Sequence, residues 1–239
     1  MSEELKISPV EGNIGAIPEE KEDSGDTKSI LITILILVGV FALVIAGFQF
    51  YNYFHSPEIV NVDDLHQKNI GGDLDEKEGY LYNGYSFVYV DGLWWTETNR
   101  FGTLVKIPLH YGAKDVENIS VTGKLDSDFN QQPVVYIAIN PNINFNGQYT
   151  LALSELNNNL AKGINTNIEA ACTENNPICD NRTIVSCQNN SKNLPVVELV
   201  VEPQPKVVLS GTCIKVSGEG FELVKATDRL LLQWYGIMK

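Results

Sequence analysis

Apolar residues follow one another without a charged interruption from Ile30 to Phe48. As a helix rising roughly 1.5 Å per residue, this run covers about 28 Å, close to the hydrocarbon thickness of a bilayer. The aromatic residues that follow it, up to Phe54, suit the headgroup level of a membrane. The pattern therefore predicts a transmembrane helix over residues 29–54 that contacts the lipid bilayer.

Charges on either side of the run indicate its orientation. Lys21 and Lys28 precede it, and no lysine or arginine follows until Lys68. Because lysine and arginine favour the cytoplasmic side, we expect a cytoplasmic N-terminus and an extracytoplasmic C-terminal part at the cell membrane. A cleavable signal peptide is the alternative, since residues 44–46 resemble a cleavage pattern. The long acidic tail before the run favours an uncleaved anchor.

Small residues within the run recur at helical spacing. Gly39, Ala42 and Ala46 share one helical face, which allows a second helix to approach closely. Glycine and alanine are also common in spans that do not associate, so these three residues are candidates for helix pairing and no more.

Polar segments lie on both sides of the predicted helix. Residues 1–28 mix charges with glycine and proline, which predicts a disordered acidic cytoplasmic tail. Residues 55–79 contain a Gly-Gly pair and an acidic cluster, which predicts a polar linker. We expect residues 80–239 to form one extracytoplasmic domain, because this part is long enough for a single core.

Apolar residues alternate along residues 85–111 and predict a three-stranded meander. An Asp-Gly pair between the first two strands favours a two-residue turn, since glycine accepts a positive φ. This turn sets Val88 opposite Trp95. A four-residue turn at 99–102 then sets Trp95 opposite Lys106.

The predicted meander has two partly apolar faces. One face carries Tyr85, Phe87, Tyr89, Trp94, Val105 and Ile107. The other carries Val88, Val90, Leu93, Trp95 and Leu104. We expect the first face to join the core, and the second either to be covered by another element or to contact an envelope protein or a surface glycan. The candidate partner-contact residues are Trp95, Lys106, Val88 and Leu104.

The remaining pattern completes the fold prediction. A strand at 134–139, a helix at 150–162 ended by Gly163, and a strand around 168–172 form a strand-helix-strand unit. Strands follow within 195–201, 206–210 and 212–218, and an amphipathic helix then packs on the sheet. Its apolar stripe consists of Leu223, Ala226, Leu230, Leu231 and Trp234. The class predicted is α+β, with a transmembrane helix, a β-meander and a mixed sheet.

All four cysteines lie beyond the predicted helix, in the compartment where disulfides form. We expect Cys172 to pair with Cys179 across a turn, and Cys187 with Cys213 between neighbouring strands. Zinc ligation is the alternative, but the cysteine spacing lacks the short pairs of zinc knuckles. Three Asn-X-Ser/Thr sequons in the same compartment are candidate glycosylation sites: Asn118, Asn181 and Asn189.

Two segments resemble known sequences. YNGYSFVYVDGLWWTE with IPLHYG, and CIKVSGEGFELVKATDRLLLQWYGIM, are similar to segments of single-pass membrane proteins of small-genome archaea. The similar segments contain no catalytic motif. Because no activity is assigned to those proteins, the resemblance implies a single-pass architecture at an archaeal cell surface and no particular reaction.

Charge and motif content narrow the possible functions. The formal net charge is −13 at pH 7, which disfavours nucleic acid as a partner. The chain contains no G-x-S-x-G, Walker or H-E-x-x-H motif, and we expect no metal or other cofactor.

Our leading hypothesis is a non-enzymatic, membrane-tethered binding or assembly module of the cell envelope. The alternative is a membrane-anchored envelope enzyme that acts on glycans or other surface polymers. Its candidate residues are Asp73, Asp75, Asp126, Asp128 and His110.

Overall fold

The computed structural model describes residues 24–54, 61–100, 102–143, 145–164 and 166–239. The chain divides into two units, residues 1–59 and 60–239, which are described one at a time. Most of the expected acidic tail and the first residues of the expected linker lie outside the described residues.

The N-terminal unit contains one described helix, α1, at Ser24–Phe54. Within its segment Lys28–Tyr51, an 18-residue window has a mean hydropathy of 3.1, and the segment is exposed along its whole length. A helix of this length and composition can cross a bilayer, and a signal sequence has the same properties. The predicted apolar N-terminal helix is therefore confirmed. Its orientation and the pairing of Gly39, Ala42 and Ala46 stay predictions.

The C-terminal unit combines helices with two sheets. The helices are α2 (Val62–Gly71), α3 (Ala113–Val116), α4 (Gly147–Asn158) and α5 (Phe221–Trp234). The strands are β1 (Gly79–Tyr82), β2 (Tyr85–Val90), β3 (Leu93–Arg100), β4 (Thr103–Leu109), β5 (Ser120–Leu125), β6 (Val134–Ile139), β7 (Asn167–Cys172), β8 (Thr183–Ile184), β9 (Val196–Val201), β10 (Lys206–Gly211) and β11 (Cys213–Gly218). The α+β class is confirmed.

The strands form one antiparallel sheet and one mixed sheet. The antiparallel sheet has the order β1-β2-β3-β4, and the mixed sheet has the order β5-β10-β11-β9-β6-β7-β8. The predicted strand-helix-strand unit is β6, α4 and β7, whose strands pair in parallel. Strands β9 and β10 follow each other in sequence, but β11 lies between them in the sheet.

The first turn of the antiparallel sheet has the predicted register. Val88 pairs with Trp95. Asp91 and Gly92 have positive φ angles of 52° and 82°, as a type I′ hairpin turn requires. The Asp-Gly pair thus specified both the turn and the pairing of β2 with β3.

The second turn is shorter than expected, so the predicted register of β3 with β4 is wrong. Arg100 pairs with Thr103, which leaves two residues in the turn instead of four. The glycine before Thr103 has a φ of 80°, which makes such a tight turn accessible. Trp95 consequently lies opposite Pro108 instead of Lys106. Because the shift is an even number of residues, every side chain stays on its predicted face.

The expectation of a polar linker over residues 55–79 is wrong for its described part, which contains α2. The Asn61 side chain accepts a hydrogen bond from Asp63 N at 3.1 Å and caps the helix start. Gly72, with a φ of 81°, ends the helix in the left-handed conformation. Caps at both ends allow a short helix with few apolar residues to form.

A buried polar contact holds α2 on β2. His66 Nδ1 lies 2.8 Å from Ser86 Oγ, and the Asn69 amide donates to the same oxygen at 2.7 Å. Burial lowers the pKa of His66, so the ring is neutral at pH 7. Helix α2 therefore covers the second face of the meander where Val88 lies.

A hydrophobic core joins both sheets and the helices α3, α4 and α5. Phe87 and Ile107, on the first face of the meander, are fully buried, as expected for this face. Leu156 of α4 and Leu230 of α5 belong to the same core, and so does Ile214 of β11. The predicted stripe of the C-terminal helix is buried except for Trp234, which is half-buried.

Both predicted disulfides are confirmed. Cys172 is bonded to Cys179, with 6.3 Å between the Cα atoms, and Cys187 is bonded to Cys213, with 5.5 Å. The Glu198 carboxylate lies beside the second bond and accepts a hydrogen bond from Cys187 N at 2.6 Å. Since all four sulfurs are in disulfides, they are not the thiolates that the alternative zinc site requires.

Candidate functional site

A cleft of about 140 Å³ lies where the end of β3, the start of β6 and the ends of α4 and α5 meet. Its apolar lining consists of Phe129, Val135, Leu160, Ile164 and Trp234. Its polar lining consists of Arg100, Asn130, Gln132 and Thr166. The cleft thus combines aromatic and aliphatic side chains with several polar groups, as small-ligand sites also do.

Local backbone structure shapes two walls of the cleft. Phe129 and Asn130 belong to a 3-10 turn at Ser127–Asn130. On the opposite side, α4 ends in a π-helical turn at Asn159–Gly163, which carries Leu160. Single π-helical turns at helix ends recur at functional sites, because they displace side chains from the regular helical positions.

Tyr235 fixes this π-helical turn from behind. Its hydroxyl lies 2.9 Å from Asn159 Oδ1, and burial raises its pKa to about 12, so the hydroxyl keeps its proton and donates. A Cβ at Gly163 would lie only 1.7 Å from Tyr235 Oη, so the turn requires glycine there. The Arg100 guanidinium lies 5.8 Å from the centre of the Tyr235 ring. Side chains on three elements therefore hold the cleft in one shape.

Aromatic and amide groups meet at the cleft. The Trp234 and Phe129 rings have centroids 6.3 Å apart at an interplanar angle of 39°. Gln132 is exposed at the mouth of the cleft. No carboxylate or histidine lines the cleft among the residues that the structure describes. The cleft can thus stack against a ring and hydrogen-bond its substituents, but it lacks the usual groups for general acid or base catalysis.

A second polar cluster joins the turn after β4 to both core helices. His110 N donates to Glu155 Oε1 at 2.9 Å, and His110 Nδ1 lies 3.1 Å from the same oxygen. Tyr111 N donates to Asp228 Oδ2 at 2.8 Å. Glu155 is nearly buried on α4, and Asp228 is fully buried on α5. Two carboxyl groups therefore bind consecutive backbone amides inside the core.

These two carboxyl groups share a proton. Burial and the neighbouring carboxylate raise the pKa of Asp228 well above its ordinary value. Glu155 Oε2 and Asp228 Oδ1 are buried and have no hydrogen-bond partner among the described residues when both groups are ionised. Burial also raises the pKa of Glu155, while His110 counteracts part of this effect. Since ionised carboxylates only accept hydrogen bonds and two adjacent ones repel each other, we infer that the pair holds one proton, through which one carboxyl group donates to the other.

Of the five predicted catalytic candidates, only His110 lies in this cluster. The four aspartates, Asp73, Asp75, Asp126 and Asp128, are exposed and do not take part in it. The carboxyl groups that do contact His110, Glu155 and Asp228, were missed by the sequence analysis. The only sequence signal for these two residues was that each is a carboxylate within the apolar stripe of a helix, Glu155 in α4 and Asp228 in α5.

The predicted partner-contact residues on the meander have different environments. Val88 is fully buried, so its assignment as a contact residue is wrong, because α2 covers it. Trp95 is half-buried. Lys106 forms an ion pair with Asp63 of α2 at 2.5 Å, and Leu104 is 54% exposed. A contact role for the last three stays a prediction.

No family model matches this chain, and neither does any curated protein or solved structure. The resemblance to archaeal single-pass membrane proteins therefore stays a prediction.

Proposed function

We propose that this chain is a membrane-tethered, extracytoplasmic binding module of the cell envelope, without enzymatic activity, and that its cleft binds a sugar unit of a surface glycan. The apolar helix α1 supports the tether, because its length and hydropathy suit a bilayer. The two disulfides support an oxidising compartment.

The composition of the cleft is the observation that carries the proposal. Trp234 offers an aromatic ring, and Asn130, Gln132 and Thr166 offer hydrogen-bond donors and acceptors. A sugar ring presents an apolar face and several hydroxyl groups, which this combination complements.

The alternative of an envelope enzyme is favoured by one observation, the raised pKa of Asp228 beside Glu155 and His110. Displaced pKa values of this kind cluster at active sites. However, Asp228 is fully buried, and none of the three residues lines the cleft. The cluster joins a turn to two helices, so we assign it a structural role.

A binding experiment on the full chain in lipid nanodiscs tests the proposal. We expect at least one class among neutral, amino and uronic-acid oligosaccharides to bind when defined members of each are titrated calorimetrically. Gln132→Ala removes an exposed cleft residue and should weaken binding by about threefold to tenfold, the equivalent of one hydrogen bond.

The neighbouring variant Gln131→Ala is the matched control, since Gln131 is equally exposed but does not line the cleft. It should bind like the unmodified chain. Absence of binding to all three classes would contradict the proposal, and so would equal affinities of the Gln131 and Gln132 variants. Loss of binding on Trp95→Ala alone would instead favour the meander surface.

A further inference from the structure

We propose that Asn118 and Asn181 carry N-linked glycans that shield the two open edges of the seven-stranded sheet. This inference rests on the extracytoplasmic placement in the proposed function, and it concerns a part of the surface other than the cleft.

Both sequons lie directly before an edge strand. In the sequon at Asn118, the hydroxyl residue is Ser120, which is also the first residue of β5. In the sequon at Asn181, the hydroxyl residue is Thr183, the first residue of β8. Strands β5 and β8 are the two outermost strands of the mixed sheet. Each acceptor asparagine therefore lies two residues, at most about 7 Å of chain, from the edge.

The acceptor side chains are accessible. Asn118 follows α3 in a turn and is exposed, and Asn181 is exposed in the turn before β8. Asn181 has a φ of 61°, a conformation in which asparagine and aspartate are favoured over other side chains. This backbone preference alone could account for an asparagine at this position. It does not account for Asn118, which is not among the residues with positive φ.

The mixed sheet needs protection at these edges. An edge strand presents unpaired backbone groups to solvent, and proteins cover such groups with charge, proline or bulky elements. In β5, Lys124 supplies a charge in the second half, whereas Ser120, Val121 and Thr122 in the first half carry none. At the other edge, Ile178 is 63% exposed just before the Asn181 turn. Glycans at the two sequons would cover these parts.

The antiparallel sheet carries no sequon at its edges and has other forms of protection. Its edge strand β4 contains Pro108, which has no backbone N–H to offer, and Lys106. Its other edge, β1, has only four residues. The edge strand β8 is also short, with two residues, so the edge with the longer unprotected stretch is the first half of β5. Both sequons nevertheless precede the edge strands of the mixed sheet, and neither lies at an edge of the antiparallel sheet.

The modification is a group transfer from a polyprenyl-phosphate-linked oligosaccharide. The bond between the anomeric carbon of the donor sugar and the phosphate oxygen breaks, and a bond from that carbon to the asparagine Nδ2 forms. The amide nitrogen loses one proton, and the polyprenyl phosphate leaves. This donor class is available only on the side of the membrane to which oligosaccharides are exported, which is why orientation matters.

Peptide mass spectrometry of the full chain from its native membranes tests the modification. We expect oligosaccharide masses on the peptides that contain Asn118 and Asn181. A membrane-impermeant amine label applied to sealed vesicles in the same experiment reports where Lys124 lies. If Lys124 is labelled and both asparagines are unmodified, the glycan proposal fails while the placement stands. If Lys124 is protected, both fail.

Variants test the shielding. Ser120→Ala with Thr183→Ala removes both sequons, whereas Ser120→Thr with Thr183→Ser keeps both and changes the same positions. At micromolar concentration, light scattering should show that the double variant without sequons (Ser120→Ala with Thr183→Ala) self-associates. The double variant that keeps both sequons (Ser120→Thr with Thr183→Ser) should be a monomer. Asn189→Gln removes a sequon that does not precede a strand, and should also stay monomeric. The shielding role would be overturned if the double variant without sequons were monomeric, or if the double variant that keeps both sequons self-associated.

Discussion

Asp228→Ala tests the buried carboxyl pair, the least expected feature of the domain. Asp228 accepts a hydrogen bond from Tyr111 N, and the proton that we infer for the pair joins it to Glu155. Alanine removes both contacts and leaves the Tyr111 N–H and the Glu155 carboxylate buried without these partners. Each loss costs about 1–3 kcal/mol, so we expect the free energy of unfolding to fall by about 2–6 kcal/mol. This is a large part of the stability of an ordinary domain, about 5–15 kcal/mol.

Asp228→Asn is the matched control. The asparagine amide can donate to Glu155 through Nδ2 and accept from Tyr111 N through Oδ1, without any titrating proton. At about pH 4 or below, where Asp228 is protonated in the folded and in the unfolded chain, this variant should stay within about 1 kcal/mol of the unmodified chain.

The stability of the unmodified chain should depend on pH in a way that the stability of Asp228→Asn does not. In the unfolded chain Asp228 ionises near pH 4, about its ordinary pKa, whereas burial raises its pKa in the fold. Between these two values the folded state holds one more proton than the unfolded state. The free energy of unfolding therefore falls by about 1.4 kcal/mol per unit as pH rises through this window. The contribution of this proton to the free energy of unfolding is fully present below about pH 4. Asp228→Asn removes this contribution, because asparagine does not titrate.

Urea unfolding of the full chain in detergent, followed by tryptophan fluorescence from pH 4 to pH 8, measures these effects. We expect the stability of the unmodified chain relative to Asp228→Asn to increase on acidification. A relative stability that is constant over this range would refute the shared proton. An Asp228→Ala variant within about 0.5 kcal/mol of the unmodified chain would refute the structural role of the pair.

Two further perturbations test the wall of the cleft and the disulfides. Gly163→Ala places a Cβ against the Tyr235 hydroxyl and should lower the free energy of unfolding by about 1–3 kcal/mol. Gly147→Ala is the control, because a Cβ there meets open space, and it should be neutral or stabilising. Equal melting temperatures of the two variants in thermal unfolding would contradict this. The disulfide at Cys213 closes a separation of 26 residues and that at Cys179 one of 7. By loop entropy, Cys213→Ala should cost about 3.5 kcal/mol and Cys179→Ala about 2.4 kcal/mol, and a reversed order would contradict the entropic account.

The sequence specified those features that depend on local chemistry. The Asp-Gly pair determined the register of β2 with β3, because few residue pairs accept two positive φ angles. The disulfide pairs followed from compartment and spacing. The second turn was misjudged because its glycine allowed a tighter connection than the pattern of apolar residues required.

Features that depend on tertiary contacts were not predicted. Helix α2 has few apolar residues, and it is fixed by its Asn61 and Gly72 caps and by the buried contact of His66 with Ser86. Asp228 lies within an otherwise apolar stripe of α5, where a charged residue is normally excluded. Its burial is tolerable because Tyr111 N and Glu155, both distant in sequence, lie beside it in the fold. The lining of the cleft likewise comes from distant segments that no local pattern connects.

The central claim is that a disulfide-bonded domain lies outside the cytoplasm behind one N-terminal helix. A membrane-impermeant amine-reactive label, applied to sealed right-side-out vesicles that contain the full chain, tests it most directly. Lys124 and Lys192 are exposed on the domain and should be labelled without permeabilisation, whereas Lys21 should be labelled only after detergent is added. Labelling of Lys21 in sealed vesicles, with Lys124 and Lys192 protected, would contradict the claim.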